Sequence, residues 1–183
     1  MKIIFNLFIL LLLVAGFQAC DDAEELLDQT FTVNIDENIP FDMSLAGKSI
    51  YIDCAPKAFS GTKALSIDNN DTHEYLNKIK SVEIKSLTYK IMNFNGPDAS
   101  SVAASLYFDN ELMATENIML KTAAANGTVY EVTNTELLNR VANNLRSRHT
   151  ITARYEGSAN QWCNNLTFRI QIRMQVKVIA NPL

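Results

Sequence analysis

The strongest alternation of apolar and polar residues lies near the C-terminal end of the chain. Every second residue over 166–178 is apolar, and threonine, arginine, glutamine or lysine fills the positions between them. Such a pattern is typical of a long β-strand with one face in the core and the other in water. A second alternation over residues 149–155 predicts another strand just before it, so residues 156–165 connect the two strands.

Shorter period-two segments separated by turn residues continue through the middle of the chain. The apolar phase changes within residues 82–91, which predicts a β-bulge near residues 85–86. The pair Asp109-Asn110 lies between two such segments and is typical of a hairpin turn. The turn pair Asn126-Gly127 precedes a further predicted strand at residues 129–132.

One segment repeats its apolar residues at helical rather than strand spacing. Thr133 and Glu136 form a capping-box pattern at its beginning. The apolar positions that follow are Leu137, Leu138, Val141, Ala142 and Leu145. This spacing predicts one amphipathic helix that docks on a sheet.

These elements predict a mainly β fold. Several short strands with turn signals and a single inserted amphipathic helix favour an antiparallel two-sheet sandwich, and an immunoglobulin-like arrangement is our specific prediction. The first predicted strand covers residues 31–35. We expect a single β-sandwich domain over residues 31–183, since a chain of this length suits one domain.

The N-terminal residues have the layout of a secretory signal peptide. Lys2 is followed by an apolar run over residues 3–17, which is too short to span a membrane and ends before a group of acids. The sequence Phe17-Gln18-Ala19-Cys20 resembles a bacterial lipobox, in which a small residue precedes the cysteine that is lipidated. The resemblance implies removal of residues 1–19 and lipidation of Cys20.

Four acids follow this cysteine directly: Asp21, Asp22, Glu24 and Glu25. They are similar to the surface-export signal of lipoproteins from Bacteroidota, which implies an outer-membrane protein exposed at the cell surface. The alternatives are that they form only a solvated tether over residues 20–30, or that the protein stays on the periplasmic face. A short tether places the domain close to the membrane.

Charge narrows the set of partners. The chain has 16 Lys and Arg against 20 Asp and Glu, and removal of residues 1–19 leaves 164 residues and changes the net charge from −4 to −5 because Lys2 is lost. Nucleic acid is not expected as a partner, since phosphate binding needs a concentrated basic surface. The expected contacts are the membrane, through the lipid, and an outer-membrane protein or a glycan.

Two cysteines remain after lipidation, Cys54 and Cys163, and the oxidising envelope permits a disulfide between them. On a strand over residues 50–54, Cys54 shares the inward phase of its apolar neighbours. Cys163 has the opposite parity to Leu166 and faces outward unless a loop or bulge resets the register. A disulfide and two free thiols therefore both stay open.

The sequence is most suggestive of recognition in the predicted connection at residues 156–165. Trp162 is the only tryptophan of the chain, and Asn160, Gln161 and Asn164 lie beside it. Loops held by a rigid scaffold often carry binding residues, and an aromatic face with amides can stack on and hydrogen-bond a sugar or a protein. The alternative is that Trp162 folds back over the edge of the core.

Other patterns of catalytic or metal chemistry are incomplete. His73 and His149 lack the spacing of a zinc motif. Residues 68–71 are rich in side-chain oxygens, but the turn glycine and final glutamate of a calcium loop are missing, and Asp71 or Thr72 as a helix N-cap explains them. No nucleophile elbow or phosphate-binding glycine loop occurs. No cofactor is expected.

We therefore expect a non-catalytic binding or accessory module of the bacterial envelope. Two alternatives belong to other classes of protein. One is a carrier that holds an apolar ligand or lipid between its sheets, which requires a large cavity. The other is a small hydrolase that uses two facing carboxylates, which a sandwich can bring together across its strands.

Overall fold

The computed structural model describes residues 28–43, 56–160 and 165–181. They contain eight strands: β1 (Gln29–Met43), β2 (Lys57–Ser66), β3 (Ile79–Asn95), β4 (Ser101–Phe108), β5 (Glu111–Met119), β6 (Val129–Glu131), β7 (Thr150–Ala159) and β8 (Leu166–Ala180). Two α-helices, α1 (Leu120–Asn126) and α2 (Thr135–Arg148), lie on either side of β6, and a 3-10 helix (His73–Lys78) precedes β3. None of the helices in these described ranges has the length and apolar character needed to cross a membrane.

The strands form two antiparallel sheets of four strands each. Sheet A has the order β1-β8-β3-β6, and sheet B has the order β2-β7-β4-β5. Apolar side chains from both sheets fill the space between them, and the inward residues of β8 are almost completely buried. The predicted antiparallel two-sheet sandwich is confirmed.

The strand order differs from the immunoglobulin-like arrangement that we predicted. Only β4 and β5 are neighbours both in sequence and in a sheet, and every other pair joins strands that are far apart along the chain. This is the order of an eight-strand jelly roll. The alternation along each strand determines which side chains face the core, but it carries no information about which strand lies beside it.

An aromatic cluster packs between the two sheets, near the end of β1 and the start of β8. The Phe41 ring stacks on Phe168 at a centroid distance of 4.9 Å and meets Phe59 edge-on at 5.1 Å. Tyr155 lies 5.9 Å from Phe59. These rings come from β1, β2, β7 and β8, so they join the two sheets and bury large apolar areas.

At the open edge of the sandwich, β1 and β2 face each other. Glu37 and Lys63 occupy inward positions on these edge strands and form an ion pair of 3.1 Å between Oε2 and Nζ. Inward-pointing charges are a common protection of edge strands against pairing with other chains. Gly61 permits close approach here, because a Cβ atom at this position would lie 2.6 Å from Ile39 Cγ2.

Several local predictions are confirmed, and one is displaced by a residue. The β3–β8 register shifts between Ile84 and Ser86, which is the predicted bulge, and β4 and β5 form the predicted hairpin at Asp109. The predicted amphipathic helix is α2. Its N-cap is Asn134 rather than Thr133, because the Asn134 Oδ1 atom accepts a hydrogen bond of 3.1 Å from the Leu137 backbone N–H.

Candidate functional site

Eight strand ends lie at one end of the sandwich, which we call the loop end. They are the C-terminal ends of β1, β3, β5 and β7 and the N-terminal ends of β2, β4, β6 and β8. Lys57 at the start of β2 pairs with Ala159 at the end of β7, and Asn95 at the end of β3 pairs with Thr167 at the start of β8. The segment that the sequence singled out, residues 156–165, therefore belongs to this end.

Of the predicted binding residues in that segment, Asn160 lies within the described residues, whereas Gln161, Trp162 and Asn164 lie outside them. The Asn160 backbone N–H donates to the Ser101 carbonyl at 3.0 Å, and the Ser101 N–H donates to Asn160 Oδ1 at 2.9 Å. These two bonds fasten the end of β7 to the start of β4. Asn160 thus holds the base of the β7–β8 connection, a positioning role that the sequence did not predict.

The predicted lipidation site Cys20, the export residues Asp21, Asp22, Glu24 and Glu25, and both cysteines of the predicted disulfide also lie outside the described residues. For Cys54 and Cys163, the described chain supplies one relevant observation. Lys57, three residues after Cys54, and Ala159, four residues before Cys163, are direct partners in the β2–β7 ladder. The disulfide stays a prediction, which peptide mapping without reduction tests.

A depression of about 430 Å³ opens at the loop end between the β3–β4 connection and α1. Its lining residues are Asn93, Phe94, Asn95, Gly96, Asp98, Lys121, Ala124 and Ala125. The end of β3 is irregular here: the register shifts between Met92 and Asn95, and Asn93 has a φ of 52°. Such irregularities turn side chains away from the ordinary strand directions.

Close packing holds this connection against β8. A Cβ atom on Gly96 would lie 2.6 Å from Leu166 Cδ1, so glycine permits the contact. At the rim, Lys121 Nζ and Asp98 Oδ2 form an ion pair of 2.5 Å between α1 and the β3–β4 connection. The depression therefore combines apolar lining residues, Phe94, Ala124 and Ala125, with the opposite charges of Asp98 and Lys121.

The amides of Asn93 and Asn95 are exposed, and within the described ranges neither side chain makes a hydrogen bond. Each amide offers two donors and one acceptor. Together with the Lys121 ammonium and the Asp98 carboxylate, they can hydrogen-bond hydroxyl or amide groups of a ligand. The sequence-based search missed these residues. The cluster Asn93-Phe94-Asn95-Gly96, with two amides beside an aromatic ring, is the signal in the sequence that could identify them.

The loop at residues 68–71 lies at the opposite end of the molecule and is closed by its own side chains. The Asn69 Oδ1 atom accepts from the backbone N–H groups of Asp71 at 2.9 Å and Thr72 at 3.1 Å. The Thr72 hydroxyl donates to the Ile67 carbonyl. Thr72 is the N-cap residue of the 3-10 helix, although its side chain makes no capping bond. Across the described ranges, no group of three or more metal-binding side chains is gathered.

Three tyrosines extend from the edge of sheet A into the core. Tyr130 stacks on Tyr89 at 5.2 Å, and Tyr89 lies 6.5 Å from Tyr155. Burial, and to a smaller degree the Glu116 carboxylate, raises the pKa of all three phenols, and Tyr89 and Tyr155 stay neutral well beyond the usual range. The Tyr155 hydroxyl is buried without a hydrogen-bond partner in the described part of the chain.

Comparison with known proteins adds little to this description. No model of a protein family matches the chain, and no curated protein does. Among solved structures, a decameric BFDV capsid protein is 12% identical with a TM-score of 0.41, over 82% of this chain and 99% of that one. Desmodium yellow mottle tymovirus is 13% identical with a TM-score of 0.40, over 85% of this chain and 84% of that one. The 60-mer BFDV capsid protein is 8% identical with a TM-score of 0.38, over 85% of this chain and 96% of that one. Since these TM-scores lie below 0.5, the fold assignment rests on the strand order alone.

Proposed function

We propose that this protein is a lipid-anchored, outer-membrane module that binds a partner at the cell surface without catalysis. The anchor in this proposal is Cys20, and the acids Asp21, Asp22, Glu24 and Glu25 direct its export. The binding role is supported by the position of the loop end, which lies at the opposite end of β1 from Gln29. The periplasmic face of the same membrane is the alternative location.

The direction of β1 supports this proposal. Gln29 begins the strand opposite Ala180, and Met43 ends it opposite Leu166 at the loop end. A strand of 15 residues rises about 3.3 Å per residue, so these ends lie about 50 Å apart. Gln29 lies only nine residues after Cys20. A chain anchored at Cys20 would therefore place the Gln29 end near the membrane and direct the loop end away from it.

The loop end also has the properties of a recognition site. Binding residues concentrate on loops positioned by a rigid scaffold, and the connections here are held by the two β-sheets. The depression of about 430 Å³ falls within the usual range for ligand sites, about 300–1,000 Å³. Its exposed amides and ion pair suit a polar partner, either a glycan or a loop of an outer-membrane protein.

Replacement of the anchor residue tests the location. We expect Cys20→Ala to move the protein from the membrane fraction to the soluble fraction, while the matched variant Cys54→Ala stays with the membrane. Retention of Cys20→Ala in the membrane fraction would overturn lipid anchoring. Changing the four acids together to alanine should abolish cleavage by protease on intact cells; unchanged cleavage would reduce these acids to a spacer.

A further inference from the structure

The outer face of sheet A carries an ordered array of planar polar groups, which we call the polar strip. It spans β1, β8 and β3, whose side chains lie in rows across the sheet. Written from β1 through β8 to β3, the rows are Asn34–Gln175–Ser86, Asp36–Arg173–Thr88, Asn38–Gln171–Lys90 and Pro40–Arg169–Met92. Six residues separate the first and last positions on β8, so the strip is about 20 Å long.

Cross-strand hydrogen bonds hold several of these groups in fixed orientations. Asp36 is central: its Oδ1 accepts from Gln171 Nε2 at 2.6 Å, and its Oδ2 accepts from Arg173 Nε at 3.0 Å. In the next row, Gln175 Nε2 donates to Asn34 Oδ1 at 3.2 Å. These two rows line a depression of about 340 Å³. Groups that are already oriented lose less entropy when a ligand binds.

Gln171 is unusual among the outward residues of the strip. Only 7% of it is exposed although it lies on the outer face, and its Oε1 atom is buried without a hydrogen-bond partner in the described chain. Buried polar atoms are nearly always paired, and those that are not require an explanation. This oxygen is closed off from solvent, so Gln171 orients Asp36 through its Nε2 group and offers no acceptor to a bound ligand.

Two cations lie next to Gln171 in the polar strip. Lys90 is the direct cross-strand partner of Gln171, and Arg169 is two residues away on the same face of β8. Within the part of the chain that the structure describes, neither makes an ion pair or a hydrogen bond. On the outer face of sheet B, by contrast, the charges of Arg154 and Glu156 pair with each other. The polar strip therefore has positive charge available for an anionic group.

We propose that the polar strip binds an anionic saccharide. A carboxylate or sulfate on the saccharide would accept from Arg169 and Lys90, and a sugar hydroxyl would hydrogen-bond the exposed amide of Asn38, which lies in the same row as Lys90. The depression lined by Asn34, Asp36 and Gln175 would hold a neighbouring sugar unit. This site is separate from the loop end and from the lipid anchor, so it can be tested without either.

Calorimetry on the mature, detergent-solubilised protein tests the proposal with three probes: oligogalacturonate, dextran sulfate and neutral dextran. We expect at least one anionic probe to bind, and dextran to bind much more weakly. The anionic probe that binds shows whether the site prefers a carboxylated or a sulfated saccharide. Rising ionic strength should weaken this binding, because the ion contacts lie near the surface. No anionic binding, or equal binding of dextran, would overturn the proposal.

Paired variants test the position of the site. The double variant Arg169→Gln with Lys90→Gln should weaken binding by about tenfold or more. The matched variant Lys177→Gln removes a charge from the same face of β8, beyond the strip, and should leave binding nearly unchanged. Equal effects of the double variant and Lys177→Gln would indicate only non-specific attraction and would refute the site.

Discussion

The unpaired hydroxyl of Tyr155 offers a sharp test of the packing between the sheets. Tyr155 is 1% exposed, and its hydroxyl oxygen has no hydrogen-bond partner in the described chain. The variant Tyr155→Phe removes only this oxygen and keeps the ring contacts with Phe41 at 6.0 Å and Phe59 at 5.9 Å. A buried polar group left without a partner costs about 1–3 kcal/mol.

We therefore expect Tyr155→Phe to raise the free energy of unfolding by about 1 kcal/mol, the lower end of this range, since small relaxations reduce the cost. For a domain of this size the melting temperature should rise by about 2–4 °C. Urea denaturation followed by circular dichroism measures the change, which should shift the midpoint and leave the slope unaltered. The matched variant is Tyr107→Phe, whose ring lies on the outer face under Arg154 at 4.2 Å; it should change stability by less than about 0.5 kcal/mol.

Destabilisation by Tyr155→Phe would refute this reasoning. A loss of about 1 kcal/mol is the ordinary result of removing a hydroxyl that is hydrogen-bonded. Such a loss would mean that water, or a residue outside the described ranges, pairs with the hydroxyl in the folded protein. The same experiment on Tyr107→Phe separates a local effect from a general effect of removing a phenol.

Three further predictions concern stability. Burial raises the pKa of the Tyr89 and Tyr155 phenols, so the unfolded chain loses these protons at a lower pH than the folded protein does. The free energy of unfolding should therefore fall above pH 10 by about 1 kcal/mol per pH unit for each phenol. Urea titrations at rising pH measure this fall, and a stability that does not change with pH would contradict the prediction. Gly61→Ala should lower the free energy of unfolding by about 1–3 kcal/mol, since the new Cβ would lie 2.6 Å from Ile39 Cγ2. A change in melting temperature below experimental error would show that β2 can shift to accommodate the methyl group. Asp109→Ala should lower the free energy of unfolding by about 2–3 kcal/mol, because this carboxylate accepts from the Thr152 N–H at 3.0 Å and forms an ion pair with Arg148. Full stability of the variant in urea denaturation would exclude Asp109 as a structural link between the hairpin and α2.

The sequence predicts elements well where local patterns are strong. The alternation over residues 166–178 corresponds to β8, and the helical spacing after residue 134 corresponds to α2. The strand β2 was missed because its inward positions include Gly61 and Lys63, which interrupt the apolar alternation. Gly61 is needed for close packing and Lys63 for the ion pair with Glu37. Both are consequences of tertiary contacts, which single-strand patterns do not contain.

The candidate sites show the same limit. The segment near Asn160 was recognised from composition alone, because the tryptophan and amides are adjacent in sequence. The loop-end depression joins Asn95 to Lys121, which only the fold brings together. In the polar strip, the polar phase of β8 was visible, but the bond from Gln171 reaches Asp36 across 135 residues. No local pattern predicts such a pair.

The most direct test of the central claim is mass spectrometry of the N-terminus of the mature protein, extracted in mild detergent from its own cells. We expect a chain that begins at Cys20 and carries a lipid on this residue, with residues 1–19 removed. A mature chain that begins elsewhere, or one that begins at an unmodified Cys20, would contradict the lipid anchor and the orientation of the loop end that depends on it.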